Sequence, residues 1–175
     1  MALETFTYYA AGVTFAAAKS MSAILNGHAT EIFKIWRVGL LNTQTSAVTG
    51  VITQMDLVYR SATATCTGGT AITLAKHDST NTLPTTGTYV YNGTVGGGTG
   101  YNLRKIFWSS DEPSISTASN DELQCFVPLN IIWDAGYGES TNVQPLTLRQ
   151  NELVHVLNNT GAAGLVDIWI EFTKE

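Results

Sequence analysis

Residues 30–42, TEIFKIWRVGLLN, limit the folds open to this chain more than any other stretch. The run lacks proline, has no glycine before Gly39, and is dense in β-branched and aromatic side chains. That composition suits a pleated strand better than a helix. Alternation puts Ile32, Lys34, Trp36, Val38 and Leu40 on one face, with Phe33, Ile35, Arg37 and Leu41 on the other. A strand apolar on both faces needs cover above and below. We therefore expect it in the middle of a β-sandwich, forming a long hairpin with residues 48–59, in which Gly50 marks a bulge.

The same period of two recurs along the chain. It is clearest over residues 165–173, where Val166, Ile168, Ile170 and Phe172 oppose Asp167, Trp169 and Glu171. Trp169 falls on the polar side, so it should be exposed in a monomer; with Glu171 it is a candidate for a subunit contact. Shorter strand-like runs lie at 21–25, 63–66, 71–75, 88–91, 101–108, 123–133, 146–149 and 153–157, separated by turns such as Asn26-Gly27. Pro128 marks 123–133 as an edge, bulged or broken strand. About ten strands without a long helical pattern predict an all-β fold, a jelly-roll-like antiparallel β-sandwich. A length of 175 residues suits one domain, whereas an immunoglobulin-like sandwich runs nearer 100 residues. Residues 1–20 are expected to be an extended N-terminal arm, and 21–175 the single sandwich domain.

Charged residues make up only 13% of the chain, against about 25% in typical soluble domains. Thr, Ser, Asn and Gly supply the polarity instead, as they do in strand-and-turn proteins and at interface cores. The net charge of −5 and the scattered basic residues exclude a broad nucleic-acid or anionic-membrane surface. The start MALETFTYY is acidic where a secretory signal would be basic, and no apolar run is long enough to span a bilayer. We expect a protein made in a reducing cytoplasm. Cys66 and Cys125 are then two buried thiols, or a disulfide if their strands are neighbours.

Motifs for chemistry are sparse. His28, His77 and His155 fall in unrelated segments with no metal-ligand spacing, and His155 sits between Val154 and Val156 as a structural histidine would. Neither a GxSxG elbow nor a CxxC pair occurs. Asp111 with Glu112, or Asp134 with Glu139, would serve glycoside hydrolysis only at a set separation. The run GTVGGGTG lacks the Lys-Ser/Thr ending of a phosphate loop. Asn92-Gly93-Thr94 and Asn158-Asn159-Thr160 match the glycosylation sequon, which has no meaning for a protein kept in the cytoplasm. We expect no enzyme, no metal and no cofactor. The aromatics Trp108, Trp133 and Tyr137, beside Asp111 and Asp134, are core residues, interface anchors or sugar-stacking groups, with core packing of the two tryptophans ranked first.

Several phrases together, IWRVGLLNTQTSAVTGV, TLAKHDSTNTLP, RKIFWSSDEP, LNIIWDAGYGES and the closing LVDIWIEFTKE, resemble a family of small structural proteins of tailed bacteriophages. The resemblance covers most of the chain after about residue 30. It implies a jelly-roll virion protein, a cement or decoration protein on the outer surface of the capsid, trimeric and bound to the major capsid protein, with no nucleic-acid or membrane partner. An extended arm can add a strand to a neighbour's sheet edge, so Phe6, Tyr8 and Tyr9 are the candidate capsid-binding residues. Deleting 1–18 should on this view leave the fold intact. The alternative is a receptor- or carbohydrate-binding sandwich of a phage fibre or tail, using the aromatic loops.

Overall fold

The computed structural model describes residues 3–16, 18–44, 52–109, 129–136, 144–159 and 164–175. Their secondary structure is all β, with fourteen strands. In chain order these are β1 (Glu4–Thr14), β2 (Ser20–Asn26), β3 (Phe33–Asn42), β4 (Ile52–Arg60), β5 (Thr65–Thr67), β6 (Thr70–Ala71) and β7 (Ala75–Lys76), then β8 (Gly87–Tyr91), β9 (Thr94–Gly96), β10 (Gly100–Ser109), β11 (Leu129–Asp134), β12 (Leu146–Leu148), β13 (Glu152–Asn158) and β14 (Leu165–Lys174).

Two six-stranded sheets form, ordered β11-β3-β14-β1-β7, with β12 also on β3, and β10-β4-β13-β2-β8-β6. All the pairings are antiparallel, and their logic is a rolled ribbon. The first four strands pair in turn with late ones: β1 with β14, β2 with β13, β3 with β11 and β4 with β10. Successive members alternate between the sheets, so the ribbon wraps around a core. That is the jelly roll expected from the strand count.

Core-facing side chains come from both sheets. Phe6, Phe33, Ile35, Ile168 and Phe172 from one meet Met21, Ile24, Met55, Leu57 and Val156 from the other, all at most 1% exposed. Phe172 anchors an aromatic cluster, with ring centroids 5.6 Å from Phe6, 5.3 Å from Phe33 and 6.2 Å from Tyr89. Such pairs add roughly 0.5–1.5 kcal/mol each beyond area burial. One polar tie crosses the core: the Tyr8 hydroxyl donates to Val90 O at 2.9 Å, linking β1 to β8. A second, small core lies outside the second sheet, where the paired strands β5 and β9 and their flanks bring Ala64 onto Ala23, Val90 and Leu153.

Five expectations are corrected. The run after residue 30 does not make a hairpin with 52–60, because β3 and β4 lie in opposite sheets. The face assignment of β3 holds only for part of its length. Glu171 pairs with Arg37 but Phe172 with Ile35, so Trp36 is an extra, bulged residue that flips the alternation. Phe33, Ile35, Val38 and Leu40 therefore all face the core. Within the expected arm, Glu4–Thr14 is not free, since β1 pairs over most of its length with β14 and on its other side with β7. Phe6 and Tyr8, expected to bind a capsid, are 0% exposed, and only Tyr9 of the three reaches the surface. Nor does the domain start at residue 21, because β1 is part of the sandwich. Gly50, Pro128 and Cys125 lie outside the described residues, and Cys66 is a half-buried free thiol.

Candidate functional site

The outer face of the β3/β14 sheet is built by register. Antiparallel pairing aligns Ile131 of β11, Gly39 of β3, Trp169 of β14 and Tyr9 of β1 in one transverse row. Gly39 has no side chain, and the Trp169 indole fills the space: a Cβ there would lie 2.1 Å from Trp169 Cζ2. Trp169 is therefore half-buried across β3, not exposed as its place on the polar side suggested. Its flanking neighbours remain open, with Tyr9 48% and Ile131 41% exposed.

Polar rows border this strip on both sides. Asp167 is almost buried and takes three donors: the Tyr9 hydroxyl, Gly12 N at 2.7 Å and Thr43 Oγ1 at 3.2 Å. Gly12 reaches it through a bulge in β1 and a φ of +59° that favours glycine. The bond to the Asp167 carboxylate, with some burial, raises the Tyr9 pKa, so the hydroxyl stays protonated. In the row on the other side, the Arg37 guanidinium lies 3.4 Å from Asp134 and 3.8 Å from Glu171. The result is an aromatic strip held flat by hydrogen bonds, beside a row whose charges largely cancel. Such a surface suits contact with another protein.

The remaining candidates scatter. Trp108 is buried in the core, and Trp133 is half-buried against it. Asp134 caps a turn by accepting from Gly136 N at 2.9 Å and faces Arg37. Asp111, Glu112, Tyr137 and Glu139 lie outside the described residues. Tyr9 and Ile131 join Trp169 and Glu171 on one face, a grouping that local sequence does not reveal. The bulge at Ile132 hides the outward position of Ile131, and Trp169 meets Gly39 only across a long-range register.

A second polar cluster lies on the other sheet. His155 is 1% exposed, accepts from Arg60 Nε at 3.4 Å and lies 2.6 Å from Ser20 Oγ. Burial, helped by the Arg60 charge, pushes its pKa down to about 4, so the ring is neutral at pH 7. A guanidinium only donates, so Nε2 accepts and the ring proton sits on Nδ1. The Ser20–His155 contact thus has the wrong tautomer for a general base acting on Ser20. Asn158, in the second sequon, is fully buried, which rules it out as a glycan acceptor in the folded state. Among the described residues no group of three His, Cys, Asp or Glu is placed to hold a metal, and no helix is long and apolar enough to cross a membrane. Comparison with protein-family models, curated proteins and solved structures finds no match to this chain.

Proposed function

We propose that this chain is a structural virion protein, a capsid cement or decoration protein that seats as a trimer on the outer surface of a phage head. The observation that carries the reading is the row Ile131–Trp169–Tyr9, an ordered aromatic and aliphatic strip on a rigid sheet face. Cement proteins need rigidity and self-association more than reactive groups. This jelly roll supports that reading, with its cross-tied core and few exposed charges. The sequence phrases similar to tailed-phage structural proteins point the same way. In this reading the strip is the surface by which copies meet, and a trimer at a capsid three-fold site gains about a hundredfold in avidity from contacts that are individually weak.

Adhesion to a host glycan needs aromatic faces open to solvent. Of the loop aromatics that would supply them, Trp108 is buried, Trp133 is half-buried and Tyr137 lies outside the described residues. Two measurements test the proposal. Sedimentation of the purified protein should give a trimer that Tyr9→Lys with Ile131→Lys converts to folded monomers. A density map of intact virions should show the jelly roll on the outside of the shell. A monomeric wild type, or an unoccupied shell surface, overturns the proposal.

A further inference from the structure

A cleft of about 260 Å³ opens beside the buried histidine, lined on its polar side by Ser20, Arg60, His155, Asn158 and Asn159 and on its aliphatic side by Ala18, Val95 and Leu157. Following the protons through the cluster leaves two donors unspent. His155 Nδ1–H donates to Ser20 Oγ at 2.6 Å, so the hydroxyl's own proton must go elsewhere, and it has no acceptor among the described residues. Arg60 uses Nε on His155 and Nη1 on Gly97 O at 3.0 Å, which leaves Nη2 without a partner among the described residues.

Among the described residues no carboxylate lines the cleft to take these donors. Asp56, opposite Leu157 in the sheet, has its oxygens occupied by the amides of Gln54, Asn102 and Asn159. Lys19, next in the chain to Ser20, turns its ammonium to Thr94 Oγ1 at 2.7 Å, so Arg60 is the one full positive charge lining the cleft among the described residues. One positive charge, one hydroxyl donor, the Asn158 and Asn159 amides and an aliphatic wall match a singly charged acid with a short apolar body. A doubly charged phosphate would be only half neutralised, and a sugar would find no aromatic face to stack on.

We propose that this cleft binds a small aliphatic carboxylate, whose oxygens accept from Arg60 Nη2 and the Ser20 hydroxyl while its chain lies on Ala18, Val95 and Leu157. The site is independent of the sheet face assigned to self-association, because it lies on the other sheet.

The test is a ¹H–¹⁵N titration of the full chain at pH 7 with acetate, butyrate and hexanoate, using sulfate, phosphate and chloride as controls. Saturable shifts are expected at the Ser20 amide and the Arg60 side-chain Nε–H. Affinity should rise by up to about fourfold per added CH₂ until the chain fills the cleft, following the hydrophobic gain per methylene. Arg60→Gln should abolish saturation, and Ser20→Ala should weaken binding several-fold. Leu157→Phe fills the cleft from its aliphatic side and should block hexanoate more than acetate, which keeps the test open if the Arg60 variant fails to fold. Shifts that stay linear and match those with chloride overturn the proposal. So does saturation by sulfate or phosphate equal to that by the carboxylates, or binding that survives Arg60→Gln in a folded protein.

Discussion

Replacing Gly39 with alanine tests how Trp169 is held. Gly39 has no left-handed φ, so the backbone itself accepts a side chain. The obstacle is the indole, whose Cζ2, Cη2 and Cε2 atoms would lie 2.1, 2.3 and 2.5 Å from the new Cβ. Ordinary contact needs more than an ångström of extra separation. A rigid ring crossing β3 cannot yield that by rotating its far end, so it must lift off the sheet. Overpacking of this kind costs roughly 1–3 kcal/mol. Relief from glycine within a strand returns roughly 0.5–1 kcal/mol, leaving a net destabilisation of about 1–2 kcal/mol. In a Trp169→Ala background the clash is gone, and the same substitution should be neutral or stabilising by roughly 0.5–1 kcal/mol. The double-mutant cycle, followed by urea unfolding, therefore predicts a coupling of about 1–3 kcal/mol between the two sites. An equal cost of Gly39→Ala in both backgrounds would refute the claim that the indole occupies the glycine's side-chain space.

Three further outcomes are expected. His155 has a folded pKa of about 4 against an ordinary 6.5, so the unfolded chain binds the extra proton first; its contribution to stability is complete above pH 6.5 and lost as pH falls through about 4. The full loss is about 3 kcal/mol at 1.36 kcal/mol per pKa unit, to be measured by urea midpoints from pH 7 to 4, while ring resonances titrating near 6.5 in the folded protein would contradict it. Tyr8→Phe removes the buried bond to Val90 O and should lower stability by about 1–2 kcal/mol without altering the far-ultraviolet spectrum, as judged by denaturant unfolding. Deleting residues 1–18 removes β1 from between β14 and β7, so the truncated chain should fail to give a cooperative unfolding transition, in contrast to the behaviour of a detachable arm.

Local alternation was a sound guide wherever a strand ran straight. The core face of β14, with Val166, Ile168, Ile170 and Phe172, could be written from the sequence because period two holds along that strand. In β3 the same reasoning placed Ile35 and Val38 on opposite faces, since a one-residue bulge at Trp36 leaves no mark in composition. Nearness in sequence also misled. A jelly roll sends successive strands to opposite sheets, so the natural guess that neighbours pair fails for β3 and β4. Phe6 and Tyr8 alternate visibly with Thr7 and Tyr9, yet nothing local says that β14 will cover their flank. The strip on the outer face needs four strands in correct register before it exists at all. The His155 cluster likewise joins residues from β2, β4 and β13.

The rolled pairing also governs how the molecule comes into being. Glu4 lies beside Lys174, Phe33 beside the same lysine, and Tyr59 beside Val154. A ribosome that has released β1 to β4 has therefore made one strand of every ladder except β5–β9 and β6–β8, and completed none. The greasy sides of those strands wait in the open until their partners emerge, and topologies so rich in distant contacts fold slowly. Assembly is then a late, all-at-once event, and the interval before it is when the nascent polypeptide is most exposed to aggregation and most dependent on chaperones.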